Sequence, residues 1–241
     1  MKVEVVIFDV YGTLLDVGPV PDALEREARW VALWDEVFGG APPRAYAQVV
    51  QDLERVIARH HAWAIERGVA NPEVCWPEVV VEAVPETSGL RREDELEFAA
   101  KLAGIPRVLR LMPGSAVVLR GLRERGVRLG IASNAQAYTW TELETALRSE
   151  ALSLADFDRG FCFWSFESGF SKPNPHVFQW LTARLAGAGV EPGAVLMVGD
   201  REDNDVQPAR AFGWQTWRIA DRPGLDWESL GHWLFDKGNL S

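Results

Sequence analysis

The chain has 241 residues, 47% of them hydrophobic and 25% charged, enough for one large domain or a core with a smaller insertion. Its formal net charge of -10 and pI near 5.0 argue against nonspecific nucleic-acid binding, which needs a basic surface. Two cysteines, Cys75 and Cys162, cannot build a disulfide scaffold, and no apolar stretch approaches the ~20 residues that span a bilayer.

The opening MKVEVVIFD carries charge inside its apolar run and lacks a small-residue cleavage site, so a cytoplasmic protein with reduced thiols is expected. Val3–Phe8 reads as the first strand, short and almost continuously apolar. From about Val20 to Arg110 the pattern becomes helical: Asp22–Phe38, Ala45–Arg67, Trp76–Val84 and Glu93–Leu102 are amphipathic. Leu111–Gly114 (LMPG) reads as the hinge back into the first body. A helix over Ser115–Arg125 stops at Gly126, followed by strands at Val127–Ala132 and Phe161–Ser165. Pro175–Ala186 reads as another helix, and Ala194–Gly199 and Gln215–Ile219 as further strands. Strands buried on both faces and alternating with helices predict an α/β fold with a doubly wound parallel sheet. The expected organisation is a Rossmann-like core from 1–18 and 111–241, interrupted by an all-helical insertion over 19–110. Eleven Trp residues are read mainly as core filling.

Open α/β sheets bind ligands at the carboxyl ends of their strands. Four polar clusters follow predicted strands here: Asp9-Val-Tyr11-Gly12-Thr13, Ser133-Asn134, Lys172-Pro-Asn174-Pro, and GDREDND at 199–205. A carboxylate such as Asp9 can attack phosphorus or an alkyl carbon, giving an ester that water hydrolyses. Asp9, Asp200 and either Asp203 or Asp205 offer the hard oxygens that Mg²⁺ prefers. Lys172 can hold two negative groups together, while Thr13, Ser133 and Asn134 can bind non-bridging oxygens. The bland readings are a solvated Asx-rich turn for Asp203, a partly exposed helix face for His60-His61, the first turn of a helix for His176, and mostly core for Trp30, Trp34 and Trp63, with one or two of them free to face a substrate.

In this order the clusters resemble the motifs of the haloacid dehalogenase-like hydrolase superfamily, over residues 3 to about 219. The resemblance implies Asp9 as nucleophile, Ser133 or Thr13 as oxyanion holders, Lys172 as charge clamp, and Asp200 and Asp205 as metal acids. It implies the backbone carbonyl of Tyr11 as a further metal ligand, and a mobile helical cap that closes over the site.

Two chemistries compete within that resemblance. Phosphatases of the family usually place an Asp two residues after the nucleophile, as proton donor to the leaving alcohol and later as base. Tyr11 stands there, as in the 2-haloacid dehalogenases, whose halide leaves without a proton. GDREDND instead has the phosphatase arrangement, and its three aspartates within six residues repel unless a cation or Lys172 compensates. Dehalogenases also use a cap arginine, for which Arg26, Arg29 and Arg44 are candidates. Mg²⁺ can partly offset a missing acid, so the expectation is a Mg²⁺-dependent phosphatase of a small phosphorylated metabolite. The alternatives are a metal-independent 2-haloacid dehalogenase and a non-catalytic binding module.

Overall fold

The structure is a computed structural model that describes residues 2–220, 222–236 and 238–240. In chain order the elements are β1 (Val5–Phe8), β2 (Leu15–Val17), α1 (Ala23–Phe38), α2 (Tyr46–Ile65), α3 (Trp76–Ala83) and α4 (Arg92–Gly104). Then come β3 (Leu109–Leu111), α5 (Ser115–Glu124), β4 (Arg128–Ser133), α6 (Tyr138–Arg148), β5 (Cys162–Trp164) and α7 (Ser165–Ser168). The chain ends with α8 (Pro175–Gly187), β6 (Val195–Gly199), α9 (Gln207–Ala211), β7 (Gln215–Arg218) and α10 (Pro223–Phe235).

Five strands form one parallel sheet in the order β5-β4-β1-β6-β7. The central strand β1 explains why its sequence is apolar at every position. Successive side chains point to opposite faces of a strand, and both faces are covered here. Val6 and Phe8 enter a core with residues of α5, α6 and α10. Val5 and Ile7 enter a second core with Phe163 and residues of α8 and α9. Two sites next to each other on the sheet order, after β1 and after β6, therefore carry the acidic clusters. The fold is the α/β, doubly wound parallel sheet that the sequence predicts, with every strand of that sheet within two residues of its expected bounds.

Two compact units divide the chain: Met1–Asp16 with Leu109–Ser241, and Val17–Val108. The second unit is helical and has its own core, in which Trp30 packs edge-on against Trp34 and Phe98 at centroid distances of 5.4 and 6.1 Å. Its entry is capped by Asp22, whose carboxylate accepts from Glu25 N, the first-turn bond that helix starts require. The Leu111–Gly114 segment differs from a plain hinge. Leu109–Leu111 forms a short ladder with Leu15–Val17, tied by Arg110 to Asp16 at 2.6 Å. Only then does the chain turn at Gly114 into α5.

Candidate active site

Asp9 emerges directly from β1, its backbone N–H donating to Val198 O of β6 at 2.9 Å. The turn that follows is tight. Gly12 has φ +78°, and a Cβ there would lie 2.5 Å from Asp200 Oδ2, so conformation and space both require glycine. Thr13 in this turn and Ser133 at the end of β4 are fully buried, and their hydroxyl oxygens have no hydrogen-bond partner within the protein.

Lys172 lies in the loop before α8, where the Lys172–Pro173 peptide is cis. Its position is fixed by Asn134, whose Oδ1 accepts from Lys172 N at 2.7 Å and whose Nδ2 donates to Lys172 O at 2.9 Å. Both ends of the Asn134 amide hold the Lys172 backbone. The ammonium then donates to Asp9 Oδ1 at 2.8 Å and to Asp205 Oδ1 at 2.5 Å. Asp205 sits in a single π turn, Glu202–Val206, between β6 and α9, and its other oxygen accepts from Arg201 N at 3.0 Å. That extra residue per turn aims Asp205 inward, as π turns often do at functional positions. Asp203, the other candidate acid, pairs with Arg201 at 2.6 Å and faces solvent.

The carboxylates of Asp9, Asp200 and Asp205 each offer an oxygen within 4.8 Å of the other two. Three carboxylates against one ammonium leave two negative charges uncompensated when all are ionised. The consequence is visible in their acidities. Burial pushes the Asp9 carboxyl up to about 6; Lys172 opposes the shift, while Asp205 and Asp200 add to it. Burial, with Asp205, also raises Asp200. Burial works against the charge on Lys172, but Asp9 and Asp205 outweigh it and hold the ammonium above its ordinary value. A cluster that resists its own ionisation is one that a divalent cation stabilises. The donor set, three hard oxygens of which two are almost wholly buried, fits Mg²⁺.

Tyr11 is half-buried, and its hydroxyl meets α6: Oη is 2.8 Å from Thr139 Oγ1 and donates to Glu142 Oε2. Neither partner stands among the residues singled out from sequence. The readable trace of them is the spacing Thr-x-x-Glu, which puts both on one helix face. The second unit's arginines have structural partners: Arg29 donates to Ile105 O and Arg107 O, Arg44 pairs with Asp52 and with Glu86 at 3.3 Å, and Arg26 donates to Asp22 O. His60 pairs with Glu82, Trp63 is 60% exposed beneath Arg67, and His176 lies in the first turn of α8.

A family model described as haloacid dehalogenase-like hydrolase matches residues 3–213. Haloacetate dehalogenase H-2 of Moraxella sp. (strain B) is 27% identical over 234 residues, which cover 95% of this chain and 91% of that protein. A glyceraldehyde 3-phosphate phosphatase of Pyrococcus abyssi is 36% identical over 108 residues, 45% of this chain and 42% of that protein. The matches span less than half the length of two of the relatives, 44% and 42%. The crystal structure of a 2-haloacid dehalogenase from Pseudomonas syringae pv. Tomato DC3000 shares the fold, with a TM-score of 0.59 at 20% identity over 96% of this chain and 99% of that one. No helix among the described residues is long and apolar enough to cross a membrane.

Proposed function

The chain belongs to the haloacid dehalogenase-like hydrolases, and within that family we propose that it is a Mg²⁺-dependent phosphatase of a small phosphorylated metabolite. The observation that carries this reading is the acid triad: Asp9, Asp200 and Asp205 converge within 4.8 Å with a single ammonium among them. A site releasing halide from carbon has no need of that surplus negative charge, whereas phosphoryl transfer needs a cation to offset it.

Asp9, Asp200 and Asp205, with the carbonyl of Tyr11, would hold the Mg²⁺. When bound it neutralises charge on the transferred group without moving a proton. Asp9 is the nucleophile: its carboxylate oxygen bonds to phosphorus and the leaving-group oxygen departs with the bonding electrons. Lys172 keeps that carboxylate charged and in place, aided by the Asn134 clamp on its backbone. The unpartnered hydroxyls of Thr13 and Ser133 supply hydrogen bonds to the non-bridging oxygens, satisfying groups that are costly to bury alone. Water then attacks the aspartyl phosphate and regenerates Asp9. The helical unit Val17–Val108, inserted after the first motif, is the cap that selects the substrate.

Two observations favour a second reading, 2-haloacid dehalogenation: Tyr11 stands where the proton-donating acid would be, and a haloacetate dehalogenase is similar over nearly the whole chain. A paired assay separates the two. Phosphate release from p-nitrophenyl phosphate or acetyl phosphate that needs Mg²⁺ supports the phosphatase. Halide release from 2-chloropropionate that survives EDTA, with no phosphate release, overturns it.

A further inference from the structure

The motif residues leave α6 without a part in the chemistry, yet α6 binds the one side chain that departs from the phosphatase pattern. The proton positions along this contact follow from the donors. Gln136 N–H donates to Thr139 Oγ1 at 3.3 Å, Thr139 Oγ1 lies 2.8 Å from Tyr11 Oη, and Tyr11 donates to Glu142 Oε2. A phenol has one proton, and Tyr11 donates it to Glu142, so the Thr139 hydroxyl is the donor to the phenol oxygen. Thr139 is fully buried and Glu142 half-buried, and the chain of bonds runs in one direction to the Glu142 carboxyl.

We propose that Thr139 and Glu142 are positioning residues that fix the Tyr11 ring and commit its proton away from the leaving group, making position 11 a filter for leaving groups that depart as stable anions. The proposal rests on the hydrolase reading above and narrows its substrate class to acyl phosphates and similarly activated phosphates. A well-placed general acid contributes roughly 10²–10⁴-fold to departure of a basic leaving group. Without one, the rate must follow the stability of the departing anion.

The test is the leaving-group dependence of Mg²⁺-supported phosphate release at one fixed pH, across aryl phosphates from 2,4-dinitrophenyl to phenyl. The wild type should slow steeply along the series. E142L removes the Glu142 acceptor that turns the phenol proton toward α6, so its slope should flatten, phenyl phosphate gaining about tenfold or more on the dinitrophenyl ester. E142Q still offers an amide oxygen to Tyr11 and should restore the steep slope. A purely structural role for Glu142 would lower all rates alike and leave the slope unmoved, which overturns the proposal. A shallow wild-type slope that Y11F steepens also overturns it, because the phenol would then be the donor. If the wild type releases phosphate from none of them, the phosphatase reading fails and the hydrogen-bond chain is read without turnover. With tyrosine carbon-13 labelled at Cζ and Tyr11 assigned through Y11F, that resonance should move in E142L and stay near its wild-type place in E142Q. An unmoved resonance in E142L sinks the proposal.

Discussion

Asp9 sets stability against chemistry. Its carboxyl is pushed from the ordinary 3.8 up to about 6, first by burial and then by Asp205 and Asp200. The fold therefore holds a proton on Asp9 more tightly than the unfolded chain does. The contribution of Asp9 to stability therefore falls as pH rises from about 4 to about 6, and at neutral pH its ionised carboxylate is a net cost. Asp9→Asn removes that charge, keeps the shape, and leaves Lys172 paired with Asp205. In EDTA, the variant should unfold at higher urea than wild type, by about 3 kcal/mol, while hydrolysis falls by on the order of 10⁴-fold. A destabilised Asp9→Asn would mean the buried charge is better compensated than the cluster indicates. The opposite change, Lys172→Met, strands two buried carboxylates and should cost about 3 kcal/mol in the same titration. The two thiols differ for the same physical reason: burial pushes Cys162 up to about 12, while Cys75 is exposed. Iodoacetamide at mildly alkaline pH should label Cys75 and spare Cys162 in the folded protein, and equal labelling would refute the burial argument. The convergence of Asp9, Lys172, Asp200 and Asp205 was legible because motif order names them. Thr139 and Glu142 were not, because a residue that acts only by holding a side chain from another element leaves no motif of its own.

Among elements, legibility tracked how strongly each segment's own pattern speaks. Four of the five strands, β1, β4, β5 and β6, are short and mostly apolar runs with a polar cluster beyond them, so their burial is written in them, while the edge strand β7, Gln-Thr-Trp-Arg, is only partly buried. Helix α6 begins Tyr-Thr-Trp-Thr, aromatic and β-branched residues of modest helix propensity, and only packing of Leu143, Ala146 and Leu147 settles it. Helix α10 contains Gly224 and Gly231 and is held by Trp227, Leu230 and Leu234, all fully buried, which no local propensity reports. The three-residue strands β2 and β3 lie below the length at which alternation can be read. Gly130 in β4 shows an element constrained from outside itself. A strand glycine ordinarily weakens the strand, but a Cβ here would overlap the backbone of Phe161 and sit 2.5 Å from Ile7 Cδ1 and 2.8 Å from Phe161 Cβ. Gly130→Ala should therefore destabilise by about 1–3 kcal/mol despite the better strand residue; a neutral or stabilised variant in urea melts would show that the sheet gives way freely. At the start of α8, Asn174 accepts from His176 N at 3.0 Å, and Asn174→Ala should cost about 1 kcal/mol, with Asn174→Ser recovering most of it.

For the whole molecule, the change of rhythm after the first strand was legible because a long run of helical periodicity cannot be absorbed into an alternating strand–helix pattern. What the insertion recognises was not legible, since amphipathic spacing in its helices encodes burial alone. The helical unit has a core of its own around Trp30, Val49, Val79 and Phe98, and the sheet has its two flanking cores. The chain leaves and returns at one place: Gly18 N donates to Val108 O at 2.8 Å. Ends that meet across a hydrogen bond can be joined by a few residues, and each body then keeps the apolar surface that folds it. Replacing 19–107 by a short Gly-Ser link should leave a core that unfolds in one cooperative transition, its parallel sheet intact by circular dichroism. If the helical unit selects the substrate, the excised core should still hydrolyse acetyl phosphate with Mg²⁺, while its preference among larger phosphorylated metabolites collapses toward equal rates. Retained preference would move selectivity into the sheet unit, and a core without a cooperative transition would show that the two bodies do not fold independently.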